Sequence, residues 1–151
     1  MLPNDLDELY KEVILDHYRN PRNAQRLDDA HVKAHGFNPF CGDEVDLQLR
    51  LNGDGAIREV GFQGRGCSIS QASASLLTEE LKGKTLAQTE ALRQAFRRMM
   101  MGERLTDEER ESLGGLEVLA GVRQFPVRIK CALLVFSALE DGIKEHRGRK
   151  R

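Results

Sequence analysis

The chain has 151 residues, 40% of them hydrophobic, and a formal net charge of −1. That is enough for one domain with an ordinary core, and it gives no overall field favouring nucleic acid or an anionic membrane. No stretch approaches the roughly 18 apolar residues of a membrane span, and Pro3, Asn4, Asp5 and Asp7 do not read as a signal peptide. A cytoplasmic location is therefore expected. Thiols stay reduced there, so the three cysteines read as metal ligands, reactive thiols or core residues rather than a disulfide framework.

In chain order, Leu6, Leu9, Tyr10, Val13, Ile14 and His17 fall near helical spacing, which predicts a helix from Asp5 to Arg19, stopped by Asn20-Pro21. His31 to Phe37 alternates loosely, as a strand can. Val45, Leu47, Leu49 and Leu51 alternate with polar residues and predict a strand with one wet face. Asn52-Gly53-Asp54-Gly55 is turn chemistry, returning the chain into an antiparallel strand from Ile57 to Phe62. Gly61, Gly64 and Gly66 then read as a mobile corner before Cys67.

The pattern turns helical from Ser68 to Leu81, with Gly83 as the stop, and again from Leu86 to Met101. Thr106 and Glu109 have the spacing of a capping box and predict a third helix, broken at Gly114-Gly115. Leu116 to Val122 is a short apolar segment. After Pro126, an amphipathic helix carries Ile129, Leu133, Phe136, Leu139 and Ile143. Arg147, Arg149, Lys150 and Arg151 form a basic tail that reads as frayed and solvated. The expectation is a single α+β domain over residues 1–151. A small antiparallel sheet of about three strands packs against several helices.

Each cysteine falls in a segment able to present it. Cys41 lies in a turn bounded by Pro39 and Gly42, two residues before Asp43; Cys67 opens a helix, and Cys131 sits about one turn inside another. The positive end of a helix favours thiolate. Three thiolates and one carboxylate suit tetrahedral zinc, with the oxygen ligand the easiest to exchange. On residues alone the set is open: a lone Cys in a helix is more often core than ligand, and Cys131 favours that reading. Gly61, Gly64 and Gly66 match neither a dinucleotide-binding fingerprint nor a P-loop. The histidines lack ligand spacing, and Ser68, Ser70, Ser73 and Ser75 have no base beside them in sequence. They read as caps and packing residues. One or two of Met99, Met100 and Met101 read as core.

The segments Leu9 to Pro21, Asn38 to Asp43, Gly61 to Ser73 and Pro126 to Cys131 together resemble the NifU N-terminal/IscU family, closest to its SufU branch. The likeness spans about Leu6 to Lys144. It implies Cys41, Asp43, Cys67 and Cys131 as ligands of Zn2+, with Cys41 as acceptor of persulfide sulfur from a SufS-type cysteine desulfurase and iron–sulfur assembly proteins downstream. It places Arg128 beside the ligands, where it can pair with Asp43 when that carboxylate leaves the metal. IscU-type scaffolds carry a His before the third Cys, where this chain has Lys130. SufU-type chains carry an insertion between the second and third Cys, to which the charged stretch from Arg93 to Gly115 corresponds; it reads as helical, mainly solvated and a docking element. The alternatives are an IscU-type scaffold holding a [2Fe–2S] cluster on the same ligands and a structural zinc module.

Overall fold

The computed structural model describes residues 4–149, with side chains from Tyr10 onward. The element order is α1 (Asn4–Arg19), β1 (Val32–Asn38), β2 (Asp43–Leu51), β3 (Ile57–Arg65), α2 (Ser68–Leu81), α3 (Leu86–Met100), α4 (Asp107–Leu113), a 3₁₀ segment (Gly114–Gln124) and α5 (Pro126–Arg149). The fold is α+β, as expected, with one antiparallel sheet in the order β1-β2-β3. Leu6 and Leu9 of the predicted first-helix face, and Lys150 and Arg151 of the basic tail, lie outside the residues whose side chains are described. No helix among the described residues is long and apolar enough to cross a membrane.

The alternation read in the strands becomes the inner face of the sheet: Val32, Ala34, Val45, Leu47, Leu49, Ile57, Val60 and Phe62 are all buried. β1 and β2 form a tight hairpin in which Asn38 pairs with Asp43. β3 runs three residues beyond its expected end, so Gly61 and Gly64 are paired strand positions opposite Gln48 and Val45, not part of a mobile corner. They are glycine because other groups press close. A Cβ on Gly64 would come within 2.6 Å of Gln71 Oε1, and one on Gly61 would meet Gln48 Oε1 at 2.9 Å.

Helix α5 is more deeply embedded than a one-sided amphipathic pattern implies. Ala132, Leu134, Val135 and Ala138 are buried along with Phe136, Leu139 and Ile143. Its sheet side is a seam of small residues: a Cβ on Gly142 would lie 2.9 Å from Ala34 Cβ and 2.9 Å from Lys33 O. On the other side Phe136 stacks on Phe96 of α3, with ring centroids 4.0 Å apart. The helix also continues through Arg149, which donates to His31 O at 3.0 Å, so Arg147 and Arg149 are not frayed.

The Arg93 to Gly115 stretch is helical except across residues 101–106, and Thr106 and Glu109 make the expected capping box. Its charged residues are mainly solvated, as expected, but it also carries a buried face. Ala95, Phe96, Met99, Met100 and Leu113 are buried, while Met101 is exposed. Removing this stretch would therefore open the core. In the 3₁₀ segment that follows, Leu116, Leu119 and Val122 are buried. Their spacing of three matches a helix of about 3 residues per turn, which puts them on one side.

Helix α2 packs through hydroxyls. Ser73 Oγ donates to Ala132 O at 2.7 Å, and Thr78 Oγ1 to Ser75 O at 2.7 Å. Ser75 Oγ accepts from Arg22 N at 2.9 Å and meets His17 Nδ1 at 2.7 Å. A base thus does stand beside one of the serines, supplied by α1 from 58 residues away. Both groups are buried, and Ser75 is spent on two partners. The contact ties α1 to α2.

The small-residue seam is testable within α5. Alanine normally stabilises a helix over glycine by about 1 kcal/mol. At Gly142 the clash with β1 outweighs this, since overpacking costs about 1–3 kcal/mol. Gly142→Ala should lower Tm. Gly148→Ala, where a Cβ meets nothing within 4 Å, should hold or raise it. Equal gains at both positions would show that α5 does not depend on the close approach.

Candidate metal centre

One end of the sheet gathers the four residues. The β1–β2 hairpin turns through Pro39 to Gly42; Gly42 N donates to Asn38 O at 2.8 Å, and Phe40 N to Asn38 Oδ1 at 3.1 Å. Gly42 has φ +73, a value that favours glycine. Cys41 is therefore exposed at the hairpin tip, while Asp43, the first residue of β2, is 0% exposed. β3 ends at Arg65, opposite Glu44, so the chain turns into α2 beside Asp43. Cys67 caps α2, its sulfur accepting from Ser70 N at 3.5 Å. Cys131, 0% exposed, comes in from the start of α5.

Asp43 links these parts. Its Oδ1 accepts the Cys67 amide at 2.8 Å, and its Oδ2 lies 3.7 Å from Cys67 Sγ. Cys41 Sγ and Cys131 Sγ are 3.7 Å apart. Cys41, Asp43 and Cys131 each offer a ligand atom within 4.8 Å of the others, and Cys67 adjoins them through Asp43. Zn–S bonds of about 2.3 Å at tetrahedral angles put two sulfurs about 3.8 Å apart. The donor set and its spacing therefore fit zinc. Asp43, 0% exposed, supplies the one oxygen donor among these sulfurs.

Gly66 makes this approach possible. Its φ is +136, and a Cβ there would lie 2.8 Å from Asp43 Cα and against the Asp43 carboxylate. The corner role expected of three glycines falls to this one; its place immediately before a cysteine was the available sequence signal.

The electrostatics of Cys131 differ from the expectation of a lowered thiol pKa at a helix start. Burial pushes the thiol well up, and hydrogen bonding with Asp43, Cys41 and Cys67 pushes the same way. Desolvation thus outweighs the helix end. Arg128, exposed on the first turn of α5, faces the sulfurs. Hydrogen bonding to Cys131, then the neighbouring charge positions of Cys67 and Cys131, hold its pKa above the usual arginine value. Lys130 lies over the ring of Phe40, 5.1 Å from its centroid. This contact was not foreseen; it follows from the meeting of two segments 90 residues apart.

Two outcomes check the geometry. Taking up a metal expels the Cys131 proton, so zinc affinity should weaken at least about tenfold per pH unit as pH falls. Competition titrations between about pH 6.5 and pH 7.5 would read this, and an affinity independent of pH would exclude Cys131 as a ligand. Gly66→Ala should displace Asp43 and lower zinc retention. Gly53→Ala, where a Cβ meets nothing within 4 Å, should leave it unchanged.

Comparisons with known proteins identify the family. The family described as NifU-like N terminal domain matches residues 9–151. The zinc-dependent sulfurtransferase SufU of Bacillus subtilis is 44% identical over 144 residues, covering 95% of each chain. The iron–sulfur cluster assembly scaffold protein IscU of Streptococcus pyogenes is 37% identical, over 95% of this chain and 88% of its own. Among solved structures, a Fervidobacterium islandicum protein named for iron–sulfur cluster scaffolding in the SUF system superposes with a TM-score of 0.81. It is 32% identical, with 89% of this chain and 96% of that one covered. Sequence, fold and the sulfur–carboxylate cluster at the sheet end all lead to one assignment: the chain belongs to the NifU-like N-terminal domain family, alongside SufU and IscU.

Proposed function

We propose that this chain serves iron–sulfur cluster assembly as a zinc-holding sulfur acceptor, taking persulfide sulfur from a SufS-type cysteine desulfurase and passing it to assembly proteins downstream. The observation that carries this reading is the contrast among the thiols. Cys131 is buried and Cys67 is fixed at a helix cap, while Cys41 is exposed on a hairpin tip. The SufU relative, named a zinc-dependent sulfurtransferase, supports it.

Cys41, Asp43, Cys67 and Cys131 would hold the ion. Bound zinc keeps thiols deprotonated and quiet as nucleophiles. Cys41 is the one sulfur able to leave without disturbing a packed helix. Once outside, its thiolate attacks the outer sulfur of the donor persulfide. A Cys41 S–S bond forms, the donor S–S bond breaks, and the electron pair leaves on the donor cysteine as thiolate. Asp43, whose carboxylate is tied to the Cys67 amide, is the exchangeable oxygen ligand. Arg128, already facing the sulfurs, is placed to meet that carboxylate if it swings away. The chain acts as a carrier in this scheme, not as an independent catalyst, and a cytoplasmic setting keeps its thiols reduced.

Single turnover with a SufS-type desulfurase and cysteine, followed by thiol trapping and mass spectrometry, should find the persulfide on Cys41. Cys41→Ser should abolish it with Tm little changed in the metal-free state. A persulfide confined to Cys67 or Cys131 would overturn the assignment. Stripping the metal should itself lower Tm, since a ligand held only by the folded state stabilises it.

A second reading, a scaffold for a [2Fe–2S] cluster, has its support in the IscU relatives. Against it stands Lys130, a protonated amine with no lone pair to offer iron. Asp43→Ala separates the two. Transfer predicts impaired sulfur acceptance with partial zinc retention. A stable [2Fe–2S] absorption spectrum after anaerobic reconstitution would favour the scaffold. A purely structural zinc module would accept no sulfur at all.

A further inference from the structure

Phe40 and Cys41 are neighbours in the hairpin turn, and Lys130 and Cys131 are neighbours in the second turn of α5. Two contacts therefore run side by side between these segments: Cys41 Sγ to Cys131 Sγ at 3.7 Å, and Lys130 Nζ to the Phe40 ring centroid at 5.1 Å. Phe40 is 84% exposed, so burial in the core does not hold its ring in place. The turn that carries it closes at Gly42, whose φ of +73 lies outside the usual range for other residues. An outward swing of Cys41 must separate Lys130 from Phe40.

We propose that Lys130 is a positioning residue whose cation–π contact with Phe40 latches the Cys41 turn against α5 and sets how often Cys41 opens to a partner. This rests on the reading of Cys41 as the mobile acceptor and adds the element that governs its mobility. An exposed cation–π contact shifts an equilibrium only about two- to fivefold. The latch is thus weak enough to yield to a docking protein. It is also strong enough to bias the free chain toward the closed arrangement, in which Cys41 stays with Cys131 and Asp43.

The test is site-resolved thiol alkylation of the full chain, both as purified and after chelation, with the Cys67 rate in the same molecules as internal reference. Rates are measured between about pH 7 and pH 8.5, where lysine remains a cation, and each variant's Cys41 rate is compared per thiolate from its own pH dependence over that range. Phe40→Leu and Lys130→Met should each speed Cys41 labelling about two- to fivefold. The double variant should be no faster than the faster single one, and Lys130→Arg, which keeps a cation over the ring, should match the unaltered chain. Effects that multiply, unchanged Cys41 rates, or a matching rise at Cys67 would overturn the latch. Labelling involves neither desulfurase nor persulfide. A chain that shows the predicted coupling but accepts no sulfur would overturn the acceptor reading and leave the latch standing.

Discussion

The hydrogen bond from the Cys67 amide to Asp43 Oδ1, at 2.8 Å, is the constraint on which the site depends. It joins the first residue of β2 to the cap of α2 across the corner at Gly66. The carboxylate can lie there because Gly66 has no Cβ. With that bond made, one Asp43 oxygen is committed to the backbone and the other is directed at sulfur. The acid is buried, anchored and turned toward thiols.

The rest of the fold brings the remaining donors to that point. β1 and β2 pair in a register that leaves four residues for the turn, so Cys41 arrives at the tip and Asp43 at its base. The small residues Ala34, Gly36, Ala138 and Gly142 let α5 lie close on β1, which carries Cys131 under the hairpin. Phe96 and Phe136 fill the opposite side of α5. A buried sulfur, a capped sulfur and an exposed sulfur then share one cluster. Their surroundings differ in burial and in hydrogen bonding.

Much of this was legible in the sequence because the signals were local. The strand faces follow from period-two alternation, and α2 begins and ends where Ser68 and Leu81 place it. The Thr106–Glu109 box is visible at a spacing of three. The ligand set was less legible, since nothing near Cys131 distinguishes a ligand from a core residue; only resemblance joined it to Cys41. The misreadings have a common physical origin in long-range contact. Gly61 and Gly64 looked like loop residues because their glycine requirement comes from distant groups, the Gln25 carbonyl at Gly61 and the Glu44 carbonyl with Gln71 at Gly64. The charged stretch after Arg93 hid a buried face, since Phe96 needs Phe136 to explain it. His17 lies 58 residues from Ser75 in sequence.

The hydroxyls along α2 have a consequence for how the domain can respond to force. An interface made of leucines alone can slip by one helical turn and still find apolar contacts. Ser73 on the Ala132 carbonyl and Ser75 between Arg22 and His17 have no equivalent partners one turn away. Sliding α2 would strand buried oxygens without hydrogen bonds, at about 1–3 kcal/mol for each. The helix behind the cluster is therefore keyed in registry. The four-residue turn that carries Cys41 is held instead by bonds to Asn38 within its own hairpin.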